Sequence, residues 1–482
     1  MQLRIGRSAR APEFSVFRGS PRWPVGCFVR RFQPLTRALR TEPQRSTRSI
    51  EPDRGNEIMA QDGKDDRTAE AEKAGTPPFV YAPMGPEQLA NPYPTIAQAH
   101  AEKPVFFSEA FSLWIVTRYE DIWTILRDTE RFTSSASVTV GTETPDEVKA
   151  VLAEGWGEVD TLVTNDPPVH TRFRSLVNKA FTPRRVAGRE EHIRELANSL
   201  VDAFIDAGRV DIATEFAVPL PLTVIAEILG VPTADVAKFK QWSDDITARL
   251  MPLPLERDIE CARSLVAFQH YMNAMLDERA KNPHDDMLSD LLTARADGME
   301  PLSRGEILSM LQQILVAGNE TTTSLISNMV GIYLERPDEW RALAEDPSLV
   351  PDAVEEVLRM ESPVQGLFRS TKEELELGGV VLPKGAHLQL LYGGGNRDAS
   401  EFPNPDEFQP GRKNGASHLA FSGGVHFCLG AALARLEGRI ALETLSQRLP
   451  GIRLDPDGPT ALRPHFFLRG YEHLSIAWGA GH

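Results

Sequence analysis

Phe421-Ser422-Gly423-Gly424-Val425-His426-Phe427-Cys428-Leu429-Gly430 decides the reading of this chain. A single cysteine stands between a Gly-rich turn and the Ala/Leu-rich segment Ala431 to Leu445, which reads as a helix. A thiol at a helix start meets free backbone N–H groups and the positive end of the dipole, and both favour the thiolate. Gly424 and Gly430 leave room for a flat ligand to approach the backbone closely. Zinc-type spacing is absent, because no second Cys or His pair completes a tetrahedral set.

Three further stretches carry chemistry. Ser303-Arg304-Gly305-Glu306 is a capping box, and a long apolar helix runs from it to about Glu335, just before Pro337. At ~1.5 Å per residue it is on the order of 45–50 Å long, enough to cross a domain. Its middle reads Ala317-Gly318-Asn319-Glu320-Thr321-Thr322. Glycine there costs roughly 1 kcal/mol against alanine, so it needs a reason. Ala317 and Gly318 leave room beside the helix, where the Thr321 hydroxyl can bond the Ala317 carbonyl or a water. Glu356-Val357-Leu358-Arg359 puts a carboxylate and a guanidinium at i, i+3. Asp166-Pro167-Pro168 opens a helix with His170 and Arg174 on one face.

Together these stretches resemble the cytochrome P450 family. The haem-ligand loop of that family runs Phe-Gly-x-Gly-x-His-x-Cys-x-Gly, matched by Phe421, Gly424, His426, Cys428 and Gly430, with Ser422 where Gly is usual. Glu320 and Thr321 stand at the family's acid–alcohol pair, which delivers protons for oxygen activation, with Glu where many members have Asp. Glu356 and Arg359 match a Glu-x-x-Arg pair that joins a later Arg, here Arg412 of Phe408-Gln409-Pro410-Gly411-Arg412, in a structural network. Gly395 precedes Asn396-Arg397-Asp398 where Ala is common. The resemblance covers roughly Pro77 to the C-terminus. It implies a mainly α fold with a small β region, the triangular helical prism of cytochrome P450.

The resemblance also implies haem b, with Cys428 as the axial thiolate on iron. The haem carboxylates would meet His170, Arg174, Arg369 and His426. Ile314, Ala317, Val364, Leu367 and Phe466 would line an apolar pocket for a hydrophobic small molecule. The implied reaction inserts one atom of O2 into that substrate, with two electrons from a ferredoxin and an NAD(P)H-dependent ferredoxin reductase. A peroxide-driven relative and a non-enzymatic haem sensor are the alternatives. Retention of Glu320-Thr321 argues against the first, and the lack of a visible signalling domain against the second.

Composition sets the outer limits. Across 482 residues the chain is 41% hydrophobic and 25% charged, typical of a globular protein. A net charge of −16 makes nucleic acid an unsuitable partner. No stretch reaches the ~18 uninterrupted apolar residues of a membrane span. Three cysteines, Cys27, Cys261 and Cys428, imply a reducing, cytoplasmic setting with no disulfide framework. Residues 1–58 hold 12 Arg and no Lys. They read either as a transit-like leader or as sequence upstream of a true start at Met59. Residues 1–75 are expected to be a disordered extension, and 76–482 the domain.

Within that domain, Val105 to Thr117 reads as a hairpin. A helix from Tyr119 buries Ile122, Ile125 and Leu126, and residues 134–162 read as irregular loop. Helices fill most of 190–297, 338–345 and 352–360. Short strands lie around Leu375 to Leu382 and Leu388 to Leu391, and 393–420 is a long irregular segment.

Overall fold

The computed structural model describes residues 79–138, 143–295 and 300–479. The expected extension at 1–75 lies outside them. In chain order the first strands are β1 (Val105–Ser108) and β2 (Leu113–Val116), followed by helix α1 (Tyr119–Arg127) and β3 (Phe132–Thr133). Helices α2 (Asp146–Leu152), α3 (Val169–Val177) and α4 (Glu190–Asp202) lead to β4 (Arg209–Asp211). Then come α5 (Pro219–Ile228), α6 (Val236–Ala248), α7 (Leu255–Lys281), α8 (Arg304–Tyr333), α9 (Pro337–Glu345) and α10 (Val350–Met360). Strands β5 (Leu367–Thr371), β6 (Leu375–Leu377), β7 (Val380–Leu382) and β8 (His387–Leu390) follow. The chain closes on α11 (Ala431–Arg448), β9 (Arg453–Leu454), β10 (Thr460–Leu462) and β11 (Tyr471–Ala477).

The expected hairpin forms with Val105 opposite Val116, and α1 buries Ile122, Ile125 and Leu126 as its spacing predicts. One sheet runs β1-β2-β8-β5-β3, with β2 and β8 parallel. A second runs β10-β11-β4 with β9 also on β11, while β6 and β7 pair apart. The loop expected over 134–162 is corrected by α2, whose Val148 is fully buried against α7. Seven residues with one buried side chain carry too little periodicity to announce a helix.

The long helix α8 forms behind the capping box read from sequence: Ser303 Oγ accepts from the Glu306 N–H, and Glu306 reaches back to the Ser303 N–H. It packs against α5, α6, α10 and α11, so most of its length is interior. Its polar middle, Asn319, Glu320, Thr322 and Thr323, is therefore buried as well. Buried polar groups require partners, and those partners define the site below.

The irregular 393–420 segment is held by side-chain donors instead of a ladder. Arg359 is wholly buried; two of its N–H groups meet the Glu356 carboxylate at 2.8 and 2.9 Å. The rest reach the carbonyls of Asn396, Pro405 and Glu407. Arg412 Nε completes the set on Glu356 Oε1 at 2.9 Å. A long loop that keeps one conformation needs contacts of this kind.

Candidate functional site

The cysteine loop is closed by its own backbone. The Cys428 N–H donates to the Phe421 carbonyl at 2.9 Å, and Ser422 N–H to Leu419 at 2.8 Å. Gly424 has a φ of +62°, and a Cβ there would stand 2.2 Å from the Leu126 carbonyl of α1. No larger residue fits this approach. Below the loop, Arg435 of α11 lies 4.5 Å from the Phe421 ring centroid and pairs with Glu355 at 2.6 Å.

Ser422 departs from the family pattern at a measurable cost. Its φ of 58° and ψ of −159° fall in a region used almost only by glycine, costing on the order of 1–3 kcal/mol. Its Oγ offsets part of this by sharing a hydrogen bond of 3.1 Å with the Tyr392 hydroxyl. Ser422→Ala keeps the strain and loses the bond, so it should be about 1 kcal/mol less stable than the wild type in thermal unfolding. Ser422→Gly, relieved of the strain, should lie above the alanine variant. The other departure has a steric side: a Cβ at Gly395 would stand 2.6 Å from Leu419 Cδ1, so alanine there would push the buried Leu419 aside.

Cys428 is half-buried at the start of α11. Burial raises its thiol above the ordinary value and outweighs the N–H groups of Gly430 and Ala431 and the charges of Arg174 and Arg435, which lower it. The helix start thus favours the thiolate, as expected from sequence, while burial works against it. A metal cation bound at this sulfur would favour the thiolate further.

Beside the cysteine, α3 places His170 buried and Arg174 half-buried on one face. Arg172 turns the other way, onto Glu306 at 2.6 Å. The rings of His170 and His426 lie 4.3 Å apart between centroids. Burial and the charges of Arg369 and His170 push His426 down to about 3. His170 is lowered by burial, then by Arg174. Arg369, from β5, is 4% exposed and donates to the Phe368 carbonyl at 2.7 Å. The carboxylate acting on both imidazoles is Asp166, which also serves the Ser134 N–H and Lys372. All five residues expected to hold the cofactor therefore converge. Two imidazoles and two guanidiniums beside one thiol are a donor set suited to an anionic macrocycle with a soft-ligated metal.

On α8 the geometry divides the acid from the alcohol. Thr321 Oγ1 donates to the Ala317 carbonyl at 2.7 Å, and Ala317 is exposed midway along an otherwise buried helix. Gly318 serves a different purpose: a Cβ there would come 3.1 Å from Ile225, so it admits α5, not a ligand. Glu320 is 3% exposed and turns from the Thr321 hydroxyl's bonding partner to other company. Ser243 Oγ donates to it at 3.3 Å, Asn319 Nδ2 at 3.2 Å, and Arg463 forms an ion pair. Arg463 is 143 residues away in sequence and no local pattern announces it. Of the expected pocket residues, Ile314 and Phe466 are buried, and Val364 bridges to Leu468.

Residues 113–450 match the family model for Cytochrome P450. The chain belongs to the cytochrome P450 family. Cytochrome P450 107B1 of Saccharopolyspora erythraea is 39% identical over 76% of this chain and 89% of its own. The monooxygenase PikC of Streptomyces venezuelae is 36% identical over 86% and 98%. Among solved structures, the P450 CREJ in complex with (4-ethylphenyl) dihydrogen phosphate superposes with a TM-score of 0.78 at 33% identity, covering 83% of this chain and all of that one. This P450 is a monooxygenase that binds haem b through a cysteine thiolate on the iron and oxidises a small molecule with O2. Among the described residues, no helix of this P450 is long and apolar enough to cross a membrane.

Proposed function

We propose that Cys428 is the axial thiolate and that His170, Arg174, Arg369 and His426 hold the haem carboxylates. One observation carries the assignment: Arg174 is close enough to sense the Cys428 charge, and its helix also brings His170 against His426. Bound haem supplies the oxidation chemistry, with the thiolate donating electron density to the iron. The protein supplies binding, orientation and protons. Two guanidiniums and two imidazole N–H groups would hold the haem carboxylates. Ala317 keeps space beside α8, and Thr321, donating its own proton to a backbone carbonyl, still accepts one from a water. Glu320 is the acid that replenishes that water.

Electrons come from a ferredoxin and its NAD(P)H-dependent reductase, in the cytoplasm. Ile314, Ala317, Val364, Leu367 and Phe466 make the pocket predominantly apolar, suited to a hydrophobic small molecule. The aromatic phosphate bound by CREJ makes acidic aromatic esters worth including in a spin-shift screen beside terpenes, fatty acids and macrolides.

Thr321→Ala tests the proton role. The variant removes a hydroxyl and keeps a strong helix former, so the reduced CO spectrum should persist. General-acid assistance is worth about 10²–10⁴-fold. Product per NAD(P)H consumed should therefore fall at least tenfold, with peroxide released in its place. Wild-type coupling in this variant would remove Thr321 from the proton path.

A further inference from the structure

The cation that faces Glu320 comes from the C-terminal hairpin. Arg463 follows β10, and its N–H donates to the Gly470 carbonyl at 2.9 Å, closing a tip that carries Phe466. That tip is seated firmly on α8. A Cβ on Gly470 would stand 2.4 Å from Ser324 Oγ, and the Tyr471 N–H donates to Ser327 Oγ at 3.2 Å. Asn328 Nδ2 donates to the Arg469 carbonyl at 3.1 Å. These contacts lie one to two turns past Glu320, and they deliver the Arg463 guanidinium to Glu320 Oε2.

The neighbouring groups do not substitute for it. Ser243 and Asn319 are neutral donors to Oε1. His465 accepts at Nδ1 from the Phe467 and Leu468 N–H groups. Burial, then the Arg463 charge, hold it down to about 4, so it is no cation. Asp244 senses the Glu320 charge and is itself occupied by Lys240. Among the described residues, Arg463 is the cation paired with this buried carboxylate.

We propose that Arg463 is a positioning residue: it fixes the Glu320 carboxylate on the hairpin side of α8 and so sets how readily that acid exchanges a proton with the Thr321 groove. The proposal rests on Glu320 being the proton source. It ties proton supply to the hairpin tip bearing Phe466, a part of the chain distant in sequence from the acid. A positioning role differs from a purely structural one, because it must act through Glu320.

The experiment is a double-mutant cycle on the haem-loaded protein: Arg463→Gln, Glu320→Gln and both, with Arg463→Lys as the conservative variant. Two readouts are taken. The first, without turnover, is thermal unfolding, where the double variant should lose less than the sum of the singles if the ion pair persists in solution. The second is product per NAD(P)H with its solvent isotope effect. Arg463→Gln should lower coupling about tenfold, the cost of a misplaced proton donor being below its full loss, and should enlarge the isotope effect. Arg463→Lys should recover most of it. In the Glu320→Gln background Arg463→Gln should add nothing. A further loss there, failure of lysine to rescue, or additive unfolding would overturn the proposal. If Glu320→Gln alone keeps wild-type coupling, the acid assignment itself fails. Should Arg463→Gln not fold, the lysine variant and the double variant, which strands no charge, still decide it.

Discussion

Cys428→Ala should abolish the thiolate signature of the reduced CO difference spectrum while leaving the helical circular dichroism in place. Only a sulfur ligand gives that signature, and the described residues offer no replacement at this position. Cys261, the other described cysteine, is fully buried on α7, with its sulfur 3.9 Å from Asp245. Burial pushes its thiol up to about 11, far from a ligating thiolate. Deletion of the Cys428 sulfur removes few packing atoms, because the loop is closed by the Cys428–Phe421 backbone bond. Turnover should therefore fall to background with little change in fold. A variant that kept the signature would dismiss Cys428 as the ligand.

The proposed ligand was legible because the requirements on its loop are local. A positive φ at Gly424 and a helix beginning at Ala431 leave their marks in adjacent residues. The same holds for the α8 capping box, whose two hydrogen bonds span three residues. Gathering His170, Arg174, Arg369 and His426 required family resemblance, because three separate elements deliver them. What sequence could not offer was the direction in which Glu320 turns. That is settled by Arg463, just past β10, a strand whose pairing with β11 has no local precursor. The Cys428 thiol shows the same division between local and packed effects. Dipole and N–H groups are visible in the sequence, whereas the desolvation that outweighs them belongs to the packed molecule. Helix α2 escaped because its single buried residue, Val148, makes no pattern.

Glu437, about two turns into α11 from the cysteine loop, should make this P450 lose stability as pH rises. It is 2% exposed, and its Oε2 has no hydrogen-bond partner. Burial alone pushes its carboxyl up to about 8 from an ordinary 4.5. The folded chain thus retains a proton that the unfolded chain releases. Below the unfolded value both states are protonated and the group is neutral in its effect. From there upward stability falls by about 1.4 kcal/mol per pH unit, because the folded state binds more protons than the unfolded one. The fall ends near the folded value, for a total on the order of 4–5 kcal/mol. Glu437→Met fills similar volume with no ionisable group, so it should match the wild type near pH 4.5 and exceed it increasingly toward pH 8. Denaturant unfolding of both proteins at several pH values measures the difference. Parallel pH profiles for the two would mean that the carboxyl is solvated or paired in solution, and that α11 carries no buried proton.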